Sequence, residues 1–197
     1  MAKTELSSFE KLYSLFSGIS VALFIHIFVT LFILAKFVGK FNLYKFIFNI
    51  RKALVVALTT ASSTATLPVS TEVLKTQVGV KSKTAGFMLP LGATLNMDGS
   101  ALYQSLVIIF LANFAGIDLN FYQQFLVFFF VMTSSAGTAG IPAGGVMMVG
   151  AVMGMIGIPM EYIGVYLLID RFWDYPITMV NVLGDLVGAK IVDRYIK

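Results

Sequence analysis

Asp170, Asp174, Thr178, Asn181 and Asp185 follow one another at offsets of four, four, three and four. In an α-helix that spacing stacks them on one face. Around them run Leu167, Leu168, Ile169, Phe172, Trp173, Ile177, Val180, Leu183 and Val187. Carboxylates in so apolar a setting are costly to bury, and acids inside membrane segments mark ion or substrate paths. A second set, Asn96 and Asp98, interrupts another apolar stretch. Carboxylate, amide, hydroxyl and main-chain oxygens are the donors that a hard cation such as Na⁺ takes. With Ser and Thr residues elsewhere in the chain, these positions supply that donor set.

The elements that must position them are membrane helices. The 197 residues are 58% hydrophobic and 12% charged, about half the charged fraction of a soluble domain, and the mean hydropathy is +0.88. The chain therefore reads as an integral, multi-pass membrane protein embedded in the lipid bilayer. Its net charge of +4 is small and spread over loops, which argues against nucleic acid as a partner. There is no cysteine, so thiolate metal sites are excluded, and a single histidine, His26, makes His-based zinc or haem chemistry a poor fit. No nucleophile–base pair or catalytic metal motif is present, so an enzyme is not expected. The first ten residues are too polar and acidic for a signal peptide.

Residues 12–35 hold no Asp, Glu, Lys or Arg and are long enough to cross a hydrocarbon core of roughly 30 Å. Residues 119–160 are also uncharged, but at about 1.5 Å per residue they are too long for one crossing. Their middle, Ser134-Ser135-Ala136-Gly137-Thr138-Ala139-Gly140-Ile141-Pro142-Ala143-Gly144-Gly145, is too rich in Gly, with a Pro, to propagate a helix. Two helical arms around a non-helical tip fit better. The stretch around Ser62-Ser63-Thr64-Ala65-Thr66-Leu67-Pro68 reads the same way, and each such hairpin precedes a long helix with polar residues at mid-depth. Paired interrupted segments in two corresponding halves point to the binding site of a secondary transporter. The plainer alternative, polar groups that only glue helices together, suits one Asn or Thr better than several acids beside two broken hairpins. The positive-inside rule puts the basic segments 36–52, 75–83 and 190–197 in the cytoplasm. It leaves the N-terminus outside, so upstream segments are expected to be missing or supplied by another chain. His26 reads as structural, the Met147, Met148, Met153 and Met155 run as filler for a moving arm, Phe128-Phe129-Phe130 as lipid-facing, and Arg171 as a charge partner of Asp170 or a snorkelling residue.

Four motifs in order, Ser62-Ser63-Thr64-Ala65-Thr66-Leu67-Pro68, the run from Leu89-Pro90 through Asn96-Met97-Asp98-Gly99 to Tyr103, Ala139-Gly140-Ile141-Pro142, and Thr178-Met179-Val180-Asn181-Val182-Leu183-Gly184-Asp185, resemble the dicarboxylate/amino acid:cation (Na⁺ or H⁺) symporters, which include the glutamate and neutral amino-acid transporters. The likeness covers the C-terminal half of a family member. It implies an all-α integral membrane fold: the transport core of an elevator-type transporter, with two re-entrant helical hairpins and broken transmembrane helices. The expected core is a helix at 10–38, a hairpin at 43–80, a helix at 84–115, a hairpin at 119–157 and a helix at 160–196, with the N-terminal scaffold helices absent. A homotrimer in the plasma (inner) membrane is implied if a scaffold is present.

Carried over by position, one sodium site would use Gly92, Asn96, Asn181 and Asp185. A second would use Asn96 and Asp98, and a third the backbone at Thr94, Met97, Ser135, Ala136 and Thr138. Asp174 would take the substrate ammonium, Thr178 and Asn181 its polar groups, and Ser62 and Ser63 with Gly140 of the second tip its α-carboxylate. The carboxylate of Asp185 argues for Na⁺ as the coupling ion, since proton-coupled relatives tend to lack one there. Acidic-substrate members place an arginine three residues after Asp174, where this chain has Ile177, and some prokaryotic members place one where it has Ala61. An acidic side chain at mid-membrane needs a cationic partner, so Ile177 is expected to line a pocket for a neutral side chain. Pro176 is a further departure. The expected function is sodium-coupled symport of neutral amino acids by an elevator mechanism. Symport of dicarboxylates or of glutamate and aspartate is the alternative within transport, and a truncated, non-transporting fragment is the alternative outside it.

Overall fold

The computed structural model describes residues 2–138 and 144–196, with side chains for 10–135 and 145–196. The described residues are helical and contain no strand. Helix α1 (Ala2–Ile25) continues through two wider, π-helical stretches, His26–Leu31 and Leu34–Gly39. It ends at Lys40, whose left-handed φ of 54° turns the chain. Helices α2 (Leu43–Thr60) and α3 (Ser63–Thr76) pack together as a pair. Helix α4 (Ser82–Leu95) and helix α5 (Asp98–Phe114) are separated by Asn96 and Met97, whose φ/ψ of −100°/82° and −107°/50° are not helical. Helices α6 (Phe121–Thr138) and α7 (Gly144–Ile156) form a second packed pair. A short turn, Met160–Tyr162, leads into α8 (Ile163–Tyr195), the longest helix.

Among the described residues, three helical runs are long and apolar enough to cross a membrane: Glu10–Gly39, Ser82–Phe114 and Met160–Tyr195. Many large apolar side chains point outward, among them Phe24, Phe48, Phe87, Phe125 and Leu168. In water that would be a liability; against lipid it is the expected finish of a helix bundle.

Local chemistry explains the breaks. Helix α2 stops where Ala61 adopts a left-handed φ of 49°. Ser62 then restarts the helix: its side chain accepts the Ala65 N–H at 3.1 Å, the role of an N-cap. Helix α8 runs unbroken through Pro176, although a proline there removes one helical hydrogen bond.

Helix α8 threads between two apolar clusters. One joins α1, α5, α6, α7 and the first half of α8, around Tyr103, Ile108, Val131, Met153 and Tyr166. The other joins α2, α3, α4 and the second half of α8, around Ile50, Leu74, Leu89, Leu183 and Leu186. Met179 packs against both. The polar residues of α8 and of the α4–α5 break therefore lie where two apolar bodies meet.

Candidate cation and substrate site

The break between α4 and α5 is held open from α8. In a continuous helix the Gly99 and Ser100 N–H groups would bond the carbonyls of Leu95 and Asn96. Instead both donate to Asn181 Oδ1, at 2.8 and 3.2 Å. The Asn181 amide donates in turn to Ser100 Oγ at 3.0 Å and to Met97 Sδ at 3.4 Å. Asn181 is thus an N-cap for α5 supplied by another helix, and the carbonyls at the end of α4 lose their usual donors.

One turn further along α8, Asp185 faces the same break. Its Oδ1 accepts Asn96 Nδ2–H at 3.1 Å. A Cβ placed on Gly92 would sit 2.5 Å from that oxygen, so glycine is what lets α4 approach the carboxylate. Gly184 plays the same part for Asp98, since a Cβ there would lie 2.5 Å from Asp98 Oδ2 and 2.8 Å from Asn96 Nδ2. Asp98 in turn accepts the Gly99 N–H at 2.9 Å and pairs with His26 Nε2 at 2.7 Å. Asp185 is 7% exposed. Among the described residues the only acid at ion-pair distance from a basic side chain is Asp98, beside His26. The side-chain hydrogen bond shown for Asp185 is to the neutral amide of Asn96, with the Asp98 carboxylate nearby. Taking an ionised carboxylate out of water costs several kcal/mol unless it is compensated.

A cavity of about 330 Å³ opens beside this cluster, lined by His26, Asn96, Met97, Asp98, Met132 and Ser135 among others. The structure therefore brings Gly92, Asn96, Met97, Asp98, Asn181 and Asp185 together and sets Ser135 across the cavity. Gly92 remains inside α4, its carbonyl accepting the Asn96 N–H at 2.8 Å. Thr94 donates its hydroxyl hydrogen back to the carbonyls of Pro90 and Leu91, which leaves its hydroxyl oxygen lone pairs and its main chain for other partners. Ala136 and Thr138 belong to the end of α6. Gly140 lies outside the described residues.

The upper part of the α8 stripe has different surroundings. Asp170 and Asp174 are half-buried. Asp170 faces the hydroxyls of Tyr103 and Tyr166, although Tyr103 Oη reaches no partner at good hydrogen-bond geometry. Thr178 is 5% exposed, between the two parts. Ile177 is buried in the cluster that also contains Trp173 and Ile169, and its carbonyl lies against Gly99. Ser62 and Ser63 stand at the start of α3, Ser62 engaged as its cap.

Three participants lie outside the expected site residues, and by sequence His26 reads as structural. His26 meets Asp98 across 72 positions, from the first residue of a π-helical stretch; such stretches recur at functional sites but have no sequence signature. Ser100 and Tyr166 read as ordinary helix residues until α8 and α5 are placed together.

The donors here are carboxylate, amide and main-chain oxygens. Among the described residues no three His, Cys, Asp or Glu side chains gather as a transition metal would need. That set suits a hard monovalent cation. Comparison with known proteins gives the context. The model of the sodium:dicarboxylate symporter family matches residues 1–195. The chain belongs to that family. Its relatives include excitatory amino acid transporter 1 of Rattus norvegicus, 40% identical over 174 residues, which are 88% of this chain and 32% of the relative. Excitatory amino acid transporter 4 of the same species is 38% identical over 88% of this chain and 31% of the relative. Neutral amino acid transporter B(0) of Mus musculus is 37% identical over 79% and 28%. The chain thus spans about a third of the length of these relatives.

Proposed function

We propose that this chain is the transport core of a sodium-coupled amino-acid symporter. The observation that carries the reading is Asp185: a buried carboxylate with no basic partner, facing an amide and a helix end whose carbonyls have been released. A bound Na⁺ would neutralise it and draw on oxygens that are already in place. Asn96, Asp185 and the main chain at Gly92 and Asn181 form one such cradle. Asn181 Oδ1 caps α5, so the contribution of Asn181 to this cradle is its main-chain oxygen; its amide N–H groups, on Ser100 Oγ and Met97 Sδ, are the edge it offers to a substrate. Asp98, with Asn96, forms a second cradle on the cavity side, where oxygens from a neighbouring segment or subunit have room to enter. Met97, Thr94, Ser135, Ala136 and Thr138 offer main-chain oxygens for a third.

The amino acid belongs on the other side of the break. Asp174 takes its ammonium group, Thr178 and the polar edge of Asn181 orient it, and the capped start of α3 at Ser62 and Ser63 receives its carboxylate, as a helix N-terminus does for anions. Ile177 is where a charge partner for an acidic side chain is absent, which favours a neutral substrate, as does the name of the neutral amino acid transporter relative; symport of glutamate, aspartate or dicarboxylates is the second reading, favoured by the description of the family. The α2–α3 and α6–α7 pairs would be re-entrant hairpins, moving with the rest of the core in an elevator motion within a trimer. Coupling is thermodynamic: a cation that orders the break also orders the substrate residues one and two turns away on α8, so each ligand favours the other reciprocally. The test is binding of an amino-acid panel to purified protein, with and without Na⁺. Alanine or serine should displace a bound probe at concentrations well below those of aspartate. Preferential displacement by aspartate would transfer the assignment to the acidic-substrate reading, and displacement indifferent to Na⁺ would end both.

A further inference from the structure

The last turns of α8 clamp the start of α4. Asp193 Oδ1 accepts both the Lys81 N–H, at 3.1 Å, and the Thr84 hydroxyl, at 2.8 Å. Lys81 is the N-cap residue of α4, and its own side chain caps nothing; it reaches instead to the Ile196 carbonyl at 2.7 Å. Lys190 donates to the Val78 carbonyl at 3.4 Å. In a capping box the residue at the third helical position satisfies the N-cap N–H. Here Thr84 occupies that position, and the acceptor comes from α8, more than a hundred residues away.

The clamp shares its register with the cation cluster. From Thr84 to Gly92 is eight residues along α4, and from Asp193 back to Asp185 is eight along α8. The helices are therefore antiparallel and in step, with the two polar contacts about 12 Å apart. Between them the interface is apolar: Ala85 and Leu89 on α4, Leu186 and Ala189 on α8, all buried. Apolar contact is non-directional and does not by itself fix a helix against sliding or rotation. The directional bonds stand at the two ends, Asp193 at one and Asn96–Asp185 at the other.

We propose that Asp193 is a positioning residue. Through Lys81 and Thr84 it sets the register of α4 on α8 and so holds Gly92 and Asn96 against Asp185. Its effect on ion affinity rests on the sodium reading above; its effect on the α4–α5 break does not. Without the clamp, states with α4 displaced become populated, and apparent affinity falls by the fraction of molecules out of register.

The experiment compares wild type, Asp193→Ala and Asp193→Asn, first by amide hydrogen exchange without Na⁺ and then by Na⁺ titration of thermal unfolding. Asn keeps the Oδ1 acceptor that makes both bonds. Asp193→Ala should speed exchange at residues 81–84 and also, about fivefold, at residues 96–100, the equivalent of one lost cap. The Na⁺ concentration for half-stabilisation should rise by a similar factor, while Asp193→Asn stays within about twofold of wild type. Thr84→Val, which removes one of the two bonds, should shift both readouts the same way by less and serves if Asp193→Ala does not fold. Faster exchange that stops before residue 96, or Ala and Asn variants that behave alike, would overturn the proposal. If exchange at 96–100 responds but no variant, wild type included, is stabilised by Na⁺, the positioning role stands and the sodium reading falls.

Discussion

Replacing Gly92 by alanine perturbs the centre of the site by a single methyl group. The added Cβ would lie 2.5 Å from Asp185 Oδ1, 2.8 Å from its Cγ and 3.2 Å from its Cβ. Comfortable non-bonded contacts are near 3.5 Å, so the carboxylate must recede by roughly 1 Å. Receding breaks its 3.1 Å bond with Asn96, worth about 1 kcal/mol. Overpacking adds about 1–3 kcal/mol. Against this stands the gain from replacing a helical glycine, at most about 1 kcal/mol. The net is about 2 kcal/mol against the site, or close to thirtyfold in Na⁺ affinity. Gly86 supplies the control: it lies on the same helix, and a Cβ there meets nothing within 4 Å. Gly86→Ala should leave Na⁺ affinity unchanged and raise stability by up to about 1 kcal/mol. Na⁺ titrations of thermal unfolding in detergent or nanodiscs, with choline as the inert cation, read both variants. A Gly92→Ala protein with wild-type Na⁺ response would refute the claim that the α4–α8 approach builds a cation site.

Other outcomes follow from the same geometry. Gly184→Ala, whose Cβ would strike Asp98 and Asn96, should weaken Na⁺ stabilisation by about tenfold, whereas Gly188→Ala, with open space around it, should not; the same titrations check this. Asn181→Ala strands the Gly99 and Ser100 N–H groups and should cost about 2–4 kcal/mol in denaturant unfolding. His26→Phe removes the 2.7 Å partner of Asp98 and should lower stability by about 1–3 kcal/mol, with His26→Gln recovering part of it in the same assay.

Much of this architecture is legible in the sequence because membrane helices announce themselves. The uncharged run at 12–35 needs only its length to be read as a crossing, and the motifs around Asn96 and Asp185 are specific enough to indicate the family. What hydropathy cannot carry is which polar groups meet. Asn96 and Asp185 stand out singly, as polar residues in apolar runs, yet their contact depends on two glycines, Gly92 and Gly184, that look like any others. Asn181 reads as a ligand, and the local pattern does not show that its side chain also caps α5. Nothing in the local pattern marks Asp193, because its partners, Lys81 and Thr84, are distant in sequence. In each case the missing information is the register of one helix against another, which is set by packing and not by local pattern.

Asp185 stands at the centre of the proposed cation site. The most direct test of that site is Na⁺ titration of purified protein carrying Asp185→Asn, which keeps the shape of the side chain and removes its charge. The variant should lose most Na⁺-dependent stabilisation and be as stable as wild type or more so in Na⁺-free buffer, because a buried charge without a basic partner has been removed. An Asp185→Asn protein that retains wild-type Na⁺ dependence would contradict the assignment.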